Sequence, residues 1–152
     1  MNYQNMHCRS VGNLQKLDGP KIDVALSYLD EQWFPCFGNN GPKKIKRYFD
    51  FTSYGEAESF LRAIGKLSRQ EGHYPFAFFD GKNAIVELQT SFPDTPSMRS
   101  TIKDLPPFGN SGLAIYGISE NDLIMAEKLD ELYREFVRKS PIVAIGGLAV
   151  SV

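Results

Sequence analysis

The sequence predicts an α+β two-layer sandwich: a four-stranded antiparallel sheet with helices on one face. Three observations carry this expectation. Residues 44–51 alternate strictly, with Ile45, Arg47, Phe49 and Phe51 on one side and Lys44, Lys46, Tyr48 and Asp50 on the other, the pattern of a half-buried antiparallel strand. Two capping boxes, Ser53 with Glu56 and Ser119 with Asp122, each precede an apolar run at helical spacing. Turn signals of hairpin length separate the paired strand candidates, and the resulting order of helix, strand, strand, helix, strand, strand, helix suits a layered α+β domain.

Residues 1–20 are polar, broken by Gly12, Gly19 and Pro20, and are expected as a mobile N-terminal arm. Ile22, Ala25, Leu26 and Leu29 then fall at helical spacing, so residues 21–31 read as a short amphipathic helix. Trp33, Phe34 and Phe37 form a short apolar strand carrying Pro35, and residues 38–42 are a turn leading into the alternating strand. A helix is expected over 54–71, with Ala57, Phe60, Leu61, Ile64 and Leu67 inward and Gly72 as its stop. An aromatic run (Phe76, Phe78, Phe79), the turn 80–83 and the strand from Ile85 to Thr90 make a second hairpin. Residues 92–116, rich in proline and glycine, read as an insertion longer than a compact domain ordinarily holds without a use for it. The last helix is expected over 119–138, within a domain spanning 21–139, and residues 140–152 form an apolar tail without a charge. That tail could add a strand to a partner, pack on its own domain, or be disordered.

One core is expected, because 152 residues with 42% hydrophobic side chains suffice for a single domain. Seventeen basic against eighteen acidic residues, with no long run of one sign, argue against nucleic acid as a partner. Two cysteines, Cys8 and Cys36, make no disulfide framework or zinc motif, which points to a reducing compartment. The sequence contains no apolar stretch of about 20 residues to span a bilayer and no secretory core near its start, so a cytoplasmic, non-membrane protein is expected. Residues 1–17 lack acids but carry fewer Arg and Ser than a transit peptide needs. The lysines and arginine at 43, 44, 46 and 47 read as the solvated face of the second strand.

Imidazole chemistry can fall only on His73, since the other histidine, His7, lies in the arm. A lone histidine at a helix-to-strand junction ordinarily bonds nearby backbone. Here its setting alters that reading. The segment Glu71-Gly72-His73-Tyr74-Pro75, the hairpin ending Leu88-Gln89-Thr90, and the helix start Gly117-Ile118-Ser119-Glu120-Asn121-Asp122 together resemble the pterin-4a-carbinolamine dehydratase family. The resemblance runs from Ile45 to about Leu132 and is gapless from Ile45 through Thr90, and upstream Ala25, Leu26 and Trp33 fit the family's first helix and strand. It implies dehydration of a 4a-hydroxytetrahydropterin to the quinonoid dihydropterin, without metal or organic cofactor. That reaction needs an acid for the leaving hydroxyl and a base for the ring proton, which the family's histidine cluster supplies.

Carried over position by position, His73 occupies the first histidine of the family pattern, Pro75 the proline and Asp122 the helix aspartate. The second histidine is Tyr74, the histidine after the strand is Ser91, the acidic position is Arg69, and the hairpin aromatic is Gly81. A phenol ordinarily titrates near 10 and a serine hydroxyl not at all in water, so neither replaces an imidazole near pH 7. The resemblance therefore implies one of two functions. The first is a decayed cleft kept for binding, like the dehydratase-like assembly factors of ribulose bisphosphate carboxylase (Rubisco), which would place the protein with carboxysomes or in a chloroplast. The second is an active dehydratase whose site is rebuilt from His73, Tyr74 and Asp122, with Glu87 or Asp94 lending a carboxylate. Dimerisation with a transcription factor is a third use. Under each, a homodimer or dimer of dimers is expected, and the aromatic run Tyr74, Phe76, Phe78, Phe79 and Phe92 reads as core and dimer-interface packing.

Overall fold

A computed structural model describes residues 3, 5–29, 32–38, 41–92 and 115–139, and the backbone of 142–145 and 148–151. Among them are three α-helices: α1 (Gly19–Ser27), α2 (Tyr54–Glu71) and α3 (Glu120–Lys139). The strands are β1 (Phe34–Gly38), β2 (Gly41–Asp50), β3 (Phe76–Asp80), β4 (Asn83–Leu88), β5 (Thr90–Phe92), β6 (Ile115–Gly117), β7 (Ile142–Ile145) and β8 (Leu148–Ser151). β1 to β4 form the antiparallel sheet in the order β1-β2-β4-β3. The α+β class stands as expected.

Local signals set the helix ends. Asp18 accepts a bond from the Lys21 N–H at 2.9 Å, with Pro20 in the first turn, so α1 begins at Gly19 rather than at residue 21. α2 has the expected bounds: Ser53 Oγ accepts from the Glu56 N–H, and Gly72 closes the helix with φ of 65°, a left-handed conformation that glycine adopts without strain. Pro35 sits on the edge strand β1, where its missing N–H costs no interior ladder bond.

The inward residues of the sheet, Ile45, Phe49, Ala84, Val86 and Leu88, are fully buried against Ile22 of α1, Phe60 of α2 and Leu123 and Leu129 of α3. All three helices therefore cover one face. Arg47 shares that inner face, which corrects its assignment to a solvated basic cluster. Its Nη1 donates to Asp130 Oδ1 at 2.6 Å, and Trp33 Nε1 donates to the same oxygen at 2.7 Å. A charge is tolerated inside because a carboxylate 83 residues away meets it there.

Two expectations are revised. The segment expected as a mobile arm lies along the domain: Tyr3 is buried, its N–H donates to Glu127 Oε2 at 2.6 Å, and the Leu17 N–H donates to Ile118 O at 2.8 Å. The strand expected to reach Thr90 stops at Leu88; Thr90 opens a separate ribbon in which β5 pairs with β6. Both ends of the segment 92–116 are thereby tied together, because Phe92 and Ile115 bury their side chains with Leu14 of the arm. Residues 93–114, Asp94 among them, lie outside the described residues. The tail forms a hairpin of its own, Val143 opposite Val150.

Candidate active site

The turn after α2 presents His73 to the first turn of α3. His73 Nε2 lies 2.6 Å from Asp122 Oδ1, with His73 8% exposed and Asp122 fully buried. A carboxylate only accepts, so the imidazole carries its proton on Nε2. The other carboxylate oxygen, Oδ2, accepts from Thr90 Oγ1 at 2.8 Å and from the Ser119 N–H at 2.9 Å. Thr90 spends its single proton on Asp122, so the 2.6 Å contact between Thr90 Oγ1 and Ser119 Oγ has serine as donor. Half of the anticipated capping box is thus made: Asp122 reaches back to Ser119, whose hydroxyl turns to Thr90 instead. The ordinary use of a lone junction histidine, a bond to nearby backbone, gives way here to a side-chain partner 49 positions away.

Asp122 joins the α2–β3 junction, the start of β5 and the start of α3 in one buried network. Thr90 and Ser119 belong to it without having been singled out as site residues. Their signal was the resemblance itself, which includes the threonine of Leu88-Gln89-Thr90 and the serine of the helix start, but nothing in their spacing shows that they meet.

The remaining site candidates stand elsewhere. Tyr74 is 67% exposed and lines a cleft of about 410 Å³ with Lys44, Pro75, Phe76, Glu87 and Gln89. Glu87, weighed as a carboxylate for a rebuilt site, is held there by Lys44. Ser91 and Arg69 are exposed, and Gly81 turns the β3–β4 hairpin with φ of 64°. The structure brings His73 and Asp122 together and leaves Tyr74 and Ser91 outside their hydrogen-bond network.

The arm closes over the helix ends flanking this pair. His7 Nδ1 lies 3.0 Å from Glu71 Oε1, and the Cys8 N–H donates to Glu71 Oε2 at 3.3 Å. Asn121, next to Asp122, accepts from the Arg9 N–H at 2.9 Å and donates to Arg9 O at 2.7 Å. Burial pushes the Glu71 carboxyl up, but bonds from Lys128, His7 and the Cys8 N–H outweigh it and hold the group below its ordinary value. Burial, reinforced by the negative charge of Glu71 and Asp122, pushes the Cys8 thiol up to about 12. A larger cavity, about 450 Å³ and lined mainly by apolar side chains such as Leu17, Val24 and Leu123, lies between the arm, α1 and α3.

No group of three or more His, Cys, Asp or Glu side chains that could hold a metal occurs among the described residues. No described helix is long and apolar enough to cross a membrane.

Comparison with known proteins agrees with this architecture. The family model for Pterin 4 alpha carbinolamine dehydratase matches residues 15–95. A protein of Methylococcus capsulatus, named "Putative pterin-4-alpha-carbinolamine dehydratase", is 35% identical over 92 residues, covering 60% of this chain and 61% of that one. A Marinobacter nauticus protein of the same name is 27% identical over 94 residues, covering 62% and 65%. The chain therefore spans less than two thirds of the length of these two relatives. A crystal structure of a transcriptional coactivator/pterin dehydratase from Brucella melitensis shares the fold, with a TM-score of 0.56 over 78% of this chain and 99% of that chain, at 21% identity. With more than half of its length matched in sequence and the same sheet and helices in place, the chain belongs to the pterin-4a-carbinolamine dehydratase family.

Proposed function

We propose that this chain is a dehydratase-fold protein that has lost dehydration and acts as a dimeric binding or assembly factor. The state of the surviving imidazole carries the reading. His73 is buried with Nε2 committed to a buried carboxylate, while the other two imidazole positions hold an exposed phenol and an exposed hydroxyl. Loss of the 4a-hydroxyl needs an acid and a base working on one substrate, and Tyr74 and Ser91 supply neither near neutral pH. The edge strands β1 and β3 each pair on one side only, and association through sheet edges and helices would cover their backbone groups. Ribulose bisphosphate carboxylase is the partner to test first, by analogy with the non-catalytic branch of the family.

The alternative, a rebuilt dehydratase, is favoured by one observation: the cleft in which Tyr74 meets Lys44, Glu87 and Gln89 offers polar groups beside aromatic rings. Quinonoid dihydropterin formation by the purified protein separates the two. The expected rate is that of buffer. Since one acid or base group contributes about 10²–10⁴ in rate, a working site would be plain, and turnover abolished by His73→Ala would overturn the binding reading in favour of the rebuilt site.

A further inference from the structure

The sheet face that carries no helix has an ordered composition. Ladder register places Tyr48, Ile85 and Phe78 in one row across β2, β4 and β3. On one side of that row lie Phe34, Lys46, Glu87 and Phe76, with Lys44 beyond; on the other lie Asp50, Asn83 and Asp80. Phe34 stacks on Tyr48 with ring centroids 6.2 Å apart, and Phe76 contacts Phe78 at 5.4 Å. These four rings are 36–64% exposed. An aromatic strip therefore crosses the whole sheet, with a lysine-bearing flank and an aspartate-bearing flank.

We propose that this face is an interface between two copies of the chain, related by a two-fold axis lying along the Tyr48–Ile85–Phe78 row. Such an axis reverses the strand direction while keeping each strand over its counterpart. It lays Tyr48, Ile85 and Phe78 on their own counterparts and sets Lys46 of each copy over Asp50 of the other, since both lie two residues from Tyr48 on opposite sides. The face is complementary to itself, which is what an isologous contact requires. Nucleic acid does not fit it: Asp50, Asp80 and Glu87 outnumber Lys44 and Lys46 on this face, and phosphates would be repelled. The interface is distinct from pairing through sheet edges and helices, and none of its residues belongs to the His73 network.

Charge exchange across the axis tests it. Sedimentation equilibrium of the full chain at micromolar concentration should show a mass that halves in Lys46→Asp and again in Asp50→Lys, each weakening association at least about tenfold through like charges face to face. The double variant Lys46→Asp/Asp50→Lys should regain the wild-type mass, because each exchanged pair again has opposite signs. Phe78→Asp should halve the mass without rescue. All three positions are at least partly exposed, and unchanged far-UV circular dichroism would confirm folding. A monomeric wild type overturns the proposal, as does a mass indifferent to the single exchanges and to Phe78→Asp, or a double variant that stays dissociated; persistence of a dimer in every variant would instead point to pairing through edges or helices.

Discussion

Removing the His73 imidazole takes away the donor facing Asp122 Oδ1 at 2.6 Å, while the two other donors to Asp122 among the described residues, from Thr90 and Ser119, both sit on Oδ2. One oxygen of a fully buried carboxylate is then left bare. Leaving a buried charged group short of a partner costs about 3 kcal/mol, and deleting a mostly buried ring adds about 1 kcal/mol of lost packing. His73→Ala should therefore destabilise the protein by about 3–4 kcal/mol, or about 10 °C in Tm for a domain of this size. His73→Gln retains an N–H at similar reach and should lie within about 1 kcal/mol of wild type. Urea unfolding followed through the single tryptophan, Trp33, which is 4% exposed, gives the stabilities. Dihydropterin formation measured on the same samples should match buffer for all three proteins. The reasoning fails if His73→Ala unfolds within about 1 kcal/mol of wild type, or if wild-type turnover disappears in both variants, since glutamine keeps the hydrogen bond but cannot act as acid or base.

Asp130→Ala removes the carboxylate that meets the buried Arg47 guanidinium and should cost about 3–5 kcal/mol, whereas Arg47→Met with Asp130→Leu should recover most of that; urea midpoints of the single and double variants decide. Because Glu71 is held below its ordinary 4.5, it contributes stability that is present above that pH and fades as pH falls through its folded-state value. The protection of the residue 7–9 amides against exchange should accordingly fall below about pH 4.5 in wild type, and Glu71→Gln should show little protection at neutral pH. With its thiol pushed up to about 12, Cys8 should resist maleimide at pH 8 until the arm is released, for instance by Asn121→Ala; mass spectrometry after timed labelling reads this directly.

The parts of the fold legible in the sequence are those whose causes are local. α2 takes its expected bounds because its cap, its apolar period and its terminal glycine all lie within 20 residues of one another. The alternation over 44–51 likewise gave the inward and outward faces of β2 correctly, Arg47 included, although basic composition alone suggested solvent for that residue. Less was legible where a weak local signal is overruled at long range. The polar, glycine-broken start suggests mobility, yet Asn121 and Glu71 supply partners for its backbone. The β5–β6 ribbon is hidden by the proline-rich stretch between its strands, since pairing across such a gap leaves no periodic trace.

The sequence by itself determined the class of the fold, the helix limits set by caps and glycine, and the residues at the family's catalytic positions, because each is written in contiguous residues or in motif order. Which of those residues meet was decided only by the tertiary structure. His73, Thr90, Ser119 and Asp122 converge because three separate junctions pack together, and a buried carboxylate draws every donor within reach. Tyr74 follows His73 directly in the chain yet stands in another cleft. His73 is buried and Tyr74 is 67% exposed as the chain enters β3, so neighbouring positions serve a buried hydrogen-bond network and an open aromatic surface.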